Sequence, residues 1–384
     1  MDEQGRRHPR WAEVSDEDWA DWRWQQRNRV TTLAELESFV ELDEREREGV
    51  GARGFPFAIT PYYASLMDCS TGGLGCPIRR QAIPLADEGL PSFGDMEDPL
   101  AEDEHSPVEI LSHRYPDRAL LYVSHNCPVY CRHCTRARKV GDVASVPRPE
   151  AMRAAYDYLR QTPAVRDVLI SGGDPLSLSD RRLIEICTEL RSIPSVEVMR
   201  LCTRNPVTLP QRVTPELVAG LRGLHPIWVS THFNHPRECT PEAGRALERL
   251  ADAGFAIGNQ TVLLRGINDE VDTIETLNRW LVRHRCRPYY LFQCDPVRGS
   301  AHLRTPIERG LAILDGLRGR VSGLAIPQFV VDLPGGGGKV ALTPDRVVAR
   351  RGRIWRFLGA GGREYEYVDP PESPPPSRRL PIMM

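Results

Sequence analysis

No apolar run in this 384-residue chain approaches the roughly 18 residues that a membrane span needs. The first residues, MDEQGRRHPRWAEVSDEDW, show no charged-then-apolar leader. Neither sign of charge dominates: 50 Lys and Arg against 52 Asp and Glu leave a formal net charge of −2. Local Arg clusters have acidic neighbours, so the balance points to neither nucleic acid nor an anionic membrane surface. Ten cysteines scattered over this length are no disulfide framework. A soluble protein in a reducing, cytoplasmic compartment is expected. With 41% hydrophobic and 27% charged residues, the chain can bury a sizeable core. Its length suits one large domain with appendages, or two domains.

The most informative stretch is LYVSHNCPVYCRHCTRARKVGD, Leu121 to Asp142. Cys127, Cys131 and Cys134 stand in C-x3-C-x2-C spacing directly after the apolar run Leu120–Val123. Three thiolates on one tight loop can each hold an iron of a [4Fe–4S] cluster, and the fourth iron then stays open to a ligand. A zinc loop is the competing reading, but zinc usually takes a second ligand pair and no second CxxC exists. This spacing at the end of a first strand resembles the radical S-adenosylmethionine (SAM) superfamily.

The chain before and after this loop differs in character. Residues 1 to about 50 read as polar and helical, with helix starts at Ser15–Asp18 and at the Thr32–Glu35 capping box. Trp19, Trp22, Val30, Leu33, Leu36, Phe39 and Val40 supply apolar stripes, read as a packing face against the main domain or another subunit. Gly49 to Gly94, rich in Gly and Pro, reads as irregular connection, with Cys69 and Cys76 as unligated loop thiols. Glu97 to His105 reads as an acidic loop.

From about Asp117, apolar runs recur every 30 to 45 residues: 119–123, 167–171, 197–201, 227–230, 256–264, 288–292 and 328–331. Amphipathic segments with good caps separate them, at 148–160, 179–191, 214–224, 240–254, 273–284 and 306–317. Strand, helix, strand with short links predicts a parallel sheet. Polar signatures after nearly every strand favour a partial TIM-like (βα) barrel, with the C-terminal strand ends meeting at one mouth. Asp369 to Met384, Pro-rich and aperiodic, is expected to be extended or disordered.

Two glycine motifs stand at strand ends. Ser171-Gly172-Gly173-Asp174 lets the backbone approach a ligand closely. In Asp332-Leu333-Pro334 followed by Gly335 to Gly338 and Lys339, four glycines can turn N–H groups toward an anion. The lysine suits a phosphate contact or a Schiff base with pyridoxal 5′-phosphate (PLP).

Taken together, CRHCTRAR, SGGDPL, THFNHP (231–236), GNQTVLLRGIND (258–269), RPYYLFQCD (287–295) and VVDLPGGGGK (330–339) resemble the lysine 2,3-aminomutase family, from about Trp19 onward. The resemblance implies an isomerase with a [4Fe–4S] cluster, SAM and PLP that moves an α-amino group to Cβ. It implies Cys127, Cys131 and Cys134 as cluster ligands and Lys339 as the PLP lysine. Gly172, Gly173, Asp174, His232 and Gln260 match SAM-facing positions, and Arg114 and Arg118 match positions near PLP. Arg136 matches the arginine that grips the substrate carboxylate, through two parallel hydrogen bonds. Asp295 and Asp332 match the pair that holds a distal ammonium, and two buried carboxylates do require a cation between them. L-lysine is therefore expected to be the substrate, with arginine as the alternative. A translation-factor-directed lysine mutase and a non-catalytic Fe–S or PLP module are less consistent with the chain length and the full motif set. The implied partners are the small amino-acid substrate and a flavodoxin- or ferredoxin-type reductant, in a homo-oligomer. The family's structural zinc is not expected, because no Cys follows Cys294. Any subunit contact then falls to the Trp-rich N-terminal helices. The expected division is 1–110 extension, 111–325 barrel and 326–384 PLP-lysine segment with tail.

Overall fold

The computed structural model describes residues 7–52, 54–69, 75–141, 146–359 and 361–370. Nine strands form one sheet in sequential order: β1 (Leu111–Tyr115), β2 (Arg118–Ser124), β3 (Asp167–Gly172), β4 (Val198–Cys202), β5 (Ile227–Thr231), β6 (Ala256–Leu263), β7 (Cys286–Gln293), β8 (Gln328–Leu333) and β9 (Gly338–Leu342). Pairs from β2 to β8 are all parallel, while β1 and β9 are antiparallel to their neighbours. The sheet curls into a nearly closed α/β barrel whose free edges are β1 and β9. Side chains bridge that seam, since the Lys339 amide on β9 donates to the Tyr115 hydroxyl on β1 at 3.1 Å.

Each return helix follows the pattern that its sequence predicts. Helix 180–191 starts at Ser179, whose hydroxyl accepts from the Arg182 amide, and buries Leu183, Ile186, Cys187 and Leu190. Pro149, Pro215 and Pro241 occupy first helical turns, where a missing N–H leaves nothing unsatisfied. Burying each such leucine or isoleucine contributes roughly 1.5–3 kcal/mol, so the three in this one helix outweigh its marginal propensity as an isolated peptide.

The N-terminal extension belongs to the same core. Trp11, Trp19, Leu36 and Phe39 are buried in one cluster with Leu121, Ile170 and Leu201 of the strands. The Thr32–Glu35 capping box forms as expected. Trp22 is half-buried under the Arg212 guanidinium, 4.4 Å from its ring centroid. The tryptophan face thus packs on its own chain, the first of the two expected roles.

Three expectations need correction. The Gly/Pro-rich stretch 49–94 is more than connection: Tyr62, Tyr63 and Ile78 are fully buried, and the Tyr63 hydroxyl donates to Glu238 at 2.8 Å. Glycine and proline erase the periodicity there without preventing apolar residues from packing. The expected boundary at 326 separates no packing unit, because β8 and β9 continue the barrel sheet. Beyond β9 a separate antiparallel sheet follows, β10 (Val347–Arg351), β11 (Ile354–Leu358) and β12 (Glu364–Val368), where the strand reading predicted none. Most of the Pro-rich tail lies outside the described residues.

Candidate active site

At the C-terminal ends of the strands lies a cavity of about 500 Å³. All fourteen residues singled out in the sequence line it: Cys127, Cys131, Cys134, Gly172, Gly173, Asp174, His232, Gln260, Arg114, Arg118, Arg136, Asp295, Asp332 and Lys339. The parallel barrel explains the convergence, since every βα loop opens on the same face.

The cysteine loop leaves β2 and turns tightly, with the Cys134 amide donating to the Cys131 carbonyl at 3.0 Å. Arg132 anchors its back, donating to the Pro56 and Phe55 carbonyls at 2.8 and 3.0 Å and pairing with Glu88. Burial pushes the Cys134 thiol up to about 12 and the Cys127 thiol well above its ordinary value, and the neighbouring sulfurs add to both. Unaided, these two groups remain thiols; a cationic centre must arrive before they become thiolate ligands. Among the described residues, no three His, Cys, Asp or Glu side chains converge on a single ion position. All three cysteines line the one cavity.

The glycines after β3 answer to a close backbone approach. Gly172 has φ +116°, and a Cβ there would lie 2.4 Å from the Ser124 carbonyl. At Gly173 a Cβ would meet the Asn126 carbonyl at 2.7 Å. Both glycines therefore dock the β3 loop on the cysteine loop. Asp174 is buried and accepts from the Leu176 amide, the Thr203 hydroxyl and the Arg204 amide at 3.0, 2.7 and 2.7 Å. Burial raises its pKa and these donors oppose the rise.

Arg204, unremarked in the sequence, is the hub of the floor. Its guanidinium reaches the Cys131 sulfur at 2.7 Å, Glu238 at 2.8 Å, Gln81 at 2.6 Å and the His232 carbonyl at 3.0 Å. Burial, with Arg204 and Arg136 nearby, pushes His232 down to about 3, so this imidazole is neutral at any working pH.

Arg136, two residues past Cys134, is held side-on. Its Nε donates to both oxygens of buried Glu102 at 3.0 and 3.2 Å, and its Nη2 donates to Oε1 at 2.7 Å. Burial opposes the Glu102 charge, but the guanidinium still holds its carboxyl below the usual range. Asp332 carries two cations: Arg114 Nη2 at 3.0 Å on one oxygen and Lys339 Nζ on the other. Register explains the second contact, because Asp332 and Lys339 face each other across the β8–β9 hairpin. Lys339 Nζ also lies 5.4 Å from the Phe292 ring centroid. Asp295 differs, for its partner is a neutral hydroxyl, Thr135 Oγ1 at 2.7 Å. Burial pushes its carboxyl up to about 6, Asp332 adds to the rise, and Thr135 opposes it. Arg118 lies 3.9 Å over the Tyr115 ring and pairs at 3.0 Å with its neighbour Asp117. Sequence reasoning missed Thr135, Glu102, Tyr115 and Arg204. Only the acidic run around Glu102, lying opposite the basic run Arg136–Lys139, left a readable signal.

A nearly closed (βα) barrel with three cysteines on its first parallel loop defines the class, an enzyme of the radical SAM type. The Radical SAM superfamily model matches residues 121–277, and the Lysine-2,3-aminomutase model matches residues 314–354. An L-lysine 2,3-aminomutase of Fusobacterium nucleatum is 52% identical over 88% of this chain and 79% of its own length. Another, of Clostridium subterminale, is 51% identical over 90% of this chain and 83% of its own. A glutamate 2,3-aminomutase of Clostridioides difficile is 41% identical over 88% and 79%. The chain belongs to the lysine 2,3-aminomutase family, whose members are isomerases.

Proposed function

We propose that the protein converts L-lysine into L-β-lysine by moving the α-amino group to Cβ. The observation that carries this reading is that Asp295, Asp332 and Arg136 line the same cavity, two carboxylates for a cation and one guanidinium for a carboxylate. A carboxylate raised to about 6 by burial is waiting for a cation, and a lysine side chain brings one. The relatives named above support lysine over glutamate by their identity. Arginine also carries a distal cation and is the second reading.

The residues present fit the cofactors that the family uses. Cys127, Cys131 and Cys134 would hold three irons of a [4Fe–4S] cluster. Gly172, Gly173, Asp174, His232 and Gln260 would face SAM. Lys339 would carry PLP, with Arg114 and Arg118 toward its oxygens; the amine reaches the cavity at the seam and has an aromatic ring beside it. When bound, the cluster with SAM supplies hydrogen-atom abstraction, and PLP supplies a ring that delocalises an unpaired electron while nitrogen migrates.

The chain's own part is binding, orientation and exclusion of water. Arg136 keeps Nη1 free of Glu102 and can offer it to the substrate carboxylate. Asp295 and Asp332 hold the distal ammonium and so fix which hydrogen on Cβ is presented. His232 stays neutral and so adds no positive charge to the cavity. The Tyr115 hydroxyl and the β8–β9 register hold the Lys339 backbone. An external one-electron donor, of flavodoxin or ferredoxin type, completes the requirement. Anaerobic reconstitution with iron, sulfide and PLP, followed by turnover with lysine, arginine and glutamate in separate reactions, tests the reading. Preference for lysine by tenfold or more is expected; equal or better turnover of arginine would replace it.

A further inference from the structure

We infer that Glu102 is a positioning residue for substrate: it pre-orients Arg136 for the amino-acid carboxylate and ties that end of the cavity to the ammonium end. The inference rests on the reading of Arg136 as the carboxylate clamp.

Segment 96–105, which the sequence presents only as an acidic loop, touches every loop that carries a substrate contact. Met96 exchanges backbone hydrogen bonds with Pro296 and Arg298 at 2.8 and 3.0 Å, directly after Asp295. The Pro99 carbonyl accepts from the Gly335 amide at 3.0 Å, in the turn that leads to Lys339. The Leu100 carbonyl accepts from Arg114, the cation on Asp332, at 3.2 Å. Asp103 pairs with Arg138 at 3.3 Å and with Lys139 at 2.5 Å. Glu102 itself, 5% exposed, grips Arg136 through Nε and Nη2. The adjacent residue, Thr135, is bonded to Asp295. One strap and one loop therefore set the distance between the two ends of the substrate.

A free arginine side chain has many rotamers, and freezing them when substrate arrives weakens binding. Glu102 removes that penalty beforehand. Without it, the guanidinium is free to leave the carboxylate's position, while the ammonium end keeps its own partners, Thr135 on Asp295 and Arg114 on Asp332. A carboxylate-specific loss distinguishes this from a merely structural role for the strap.

The test titrates holoenzyme, loaded with iron and PLP, with L-lysine and with L-lysinamide, following the PLP absorbance. Lysinamide keeps both amines and lacks only the carboxylate. Wild type should bind lysine more tightly than lysinamide. Glu102→Ala should lose about tenfold or more in lysine affinity, the range of one charge-assisted hydrogen bond, with less than a twofold change for lysinamide. Glu102→Gln, which keeps an acceptor for Nε but no charge, should fall between, and it carries the same comparison if the alanine variant loses iron or PLP. Equal losses for both ligands, or no loss for either, would overturn the inference. A wild type indifferent to the carboxylate would overturn the assignment of Arg136 itself and the inference with it.

Discussion

Asp295→Asn separates stability from function at one atom. Burial and Asp332 raise this carboxyl to about 6, against an ordinary 3.8. At about 1.4 kcal/mol per pKa unit, keeping it ionised in the empty cavity costs about 3 kcal/mol. The sign follows from proton counting. Between about pH 4 and pH 6 the native state binds more protons than the unfolded chain, so stability falls as pH rises through that window. Above it the penalty is complete; below it there is none. Asparagine preserves the acceptor for Thr135 and removes the charge. The variant should therefore be more stable than wild type at pH 8, by up to about 3 kcal/mol or a few degrees in Tm, and no more stable near pH 4. It should also lose the cation's anchor, with kcat/KM for lysine down about a hundredfold or more. Thermal unfolding of the cofactor-free protein at the two pH values, alongside turnover of the reconstituted enzyme, measures both. A variant less stable than wild type at pH 8, or one that keeps full lysine turnover, would refute the reasoning.

Other expectations follow from the same geometry. Lys339→Ala should keep its iron but lose the near-visible PLP absorbance; retention of that band after desalting would move the PLP site elsewhere. Gly173→Ala places a methyl carbon 2.7 Å from the Asn126 carbonyl, so the cysteine loop must shift. It should cost about 1–3 kcal/mol and lower bound iron after reconstitution, both measurable by unfolding and metal analysis. Thr135→Val removes the donor that opposes Asp295's raised pKa. The acidic limb of kcat/KM for lysine, expected near pH 6 in wild type, should move to higher pH, and KM should rise about tenfold.

Much of this was legible because local chemistry and barrel topology agree. Apolar runs such as Asp167–Ser171 and capped helices such as Ser179–Arg191 announce themselves by period and by cap. Convergence of the candidate residues then follows from where a parallel barrel puts its loops. What stayed hidden depends on partners far apart in the chain. Glu102 looks like one more surface acid until the fold sets it on Arg136, and Arg204 looks like an ordinary post-strand arginine until Gln81 and Glu238 close around it. The glycines after β3 were read for their close approach to a ligand, and their second neighbour, the backbone at Ser124 and Asn126, was not readable from the motif. Strands β10 to β12 were missed although IWRFL and EYEYV alternate, because alternation with so little burial looks the same as an exposed tail.

The central claim is that one cavity lets a single lysine molecule be held at both ends while its own nitrogen moves one carbon along. Anaerobic turnover of L-lysine labelled with ¹⁵N at the α-position, with the product read by NMR, tests it most directly. The account predicts β-lysine carrying the label on C3, with no product from Cys131→Ala or Lys339→Ala. Label remaining on C2, or lost to the solvent, would contradict it.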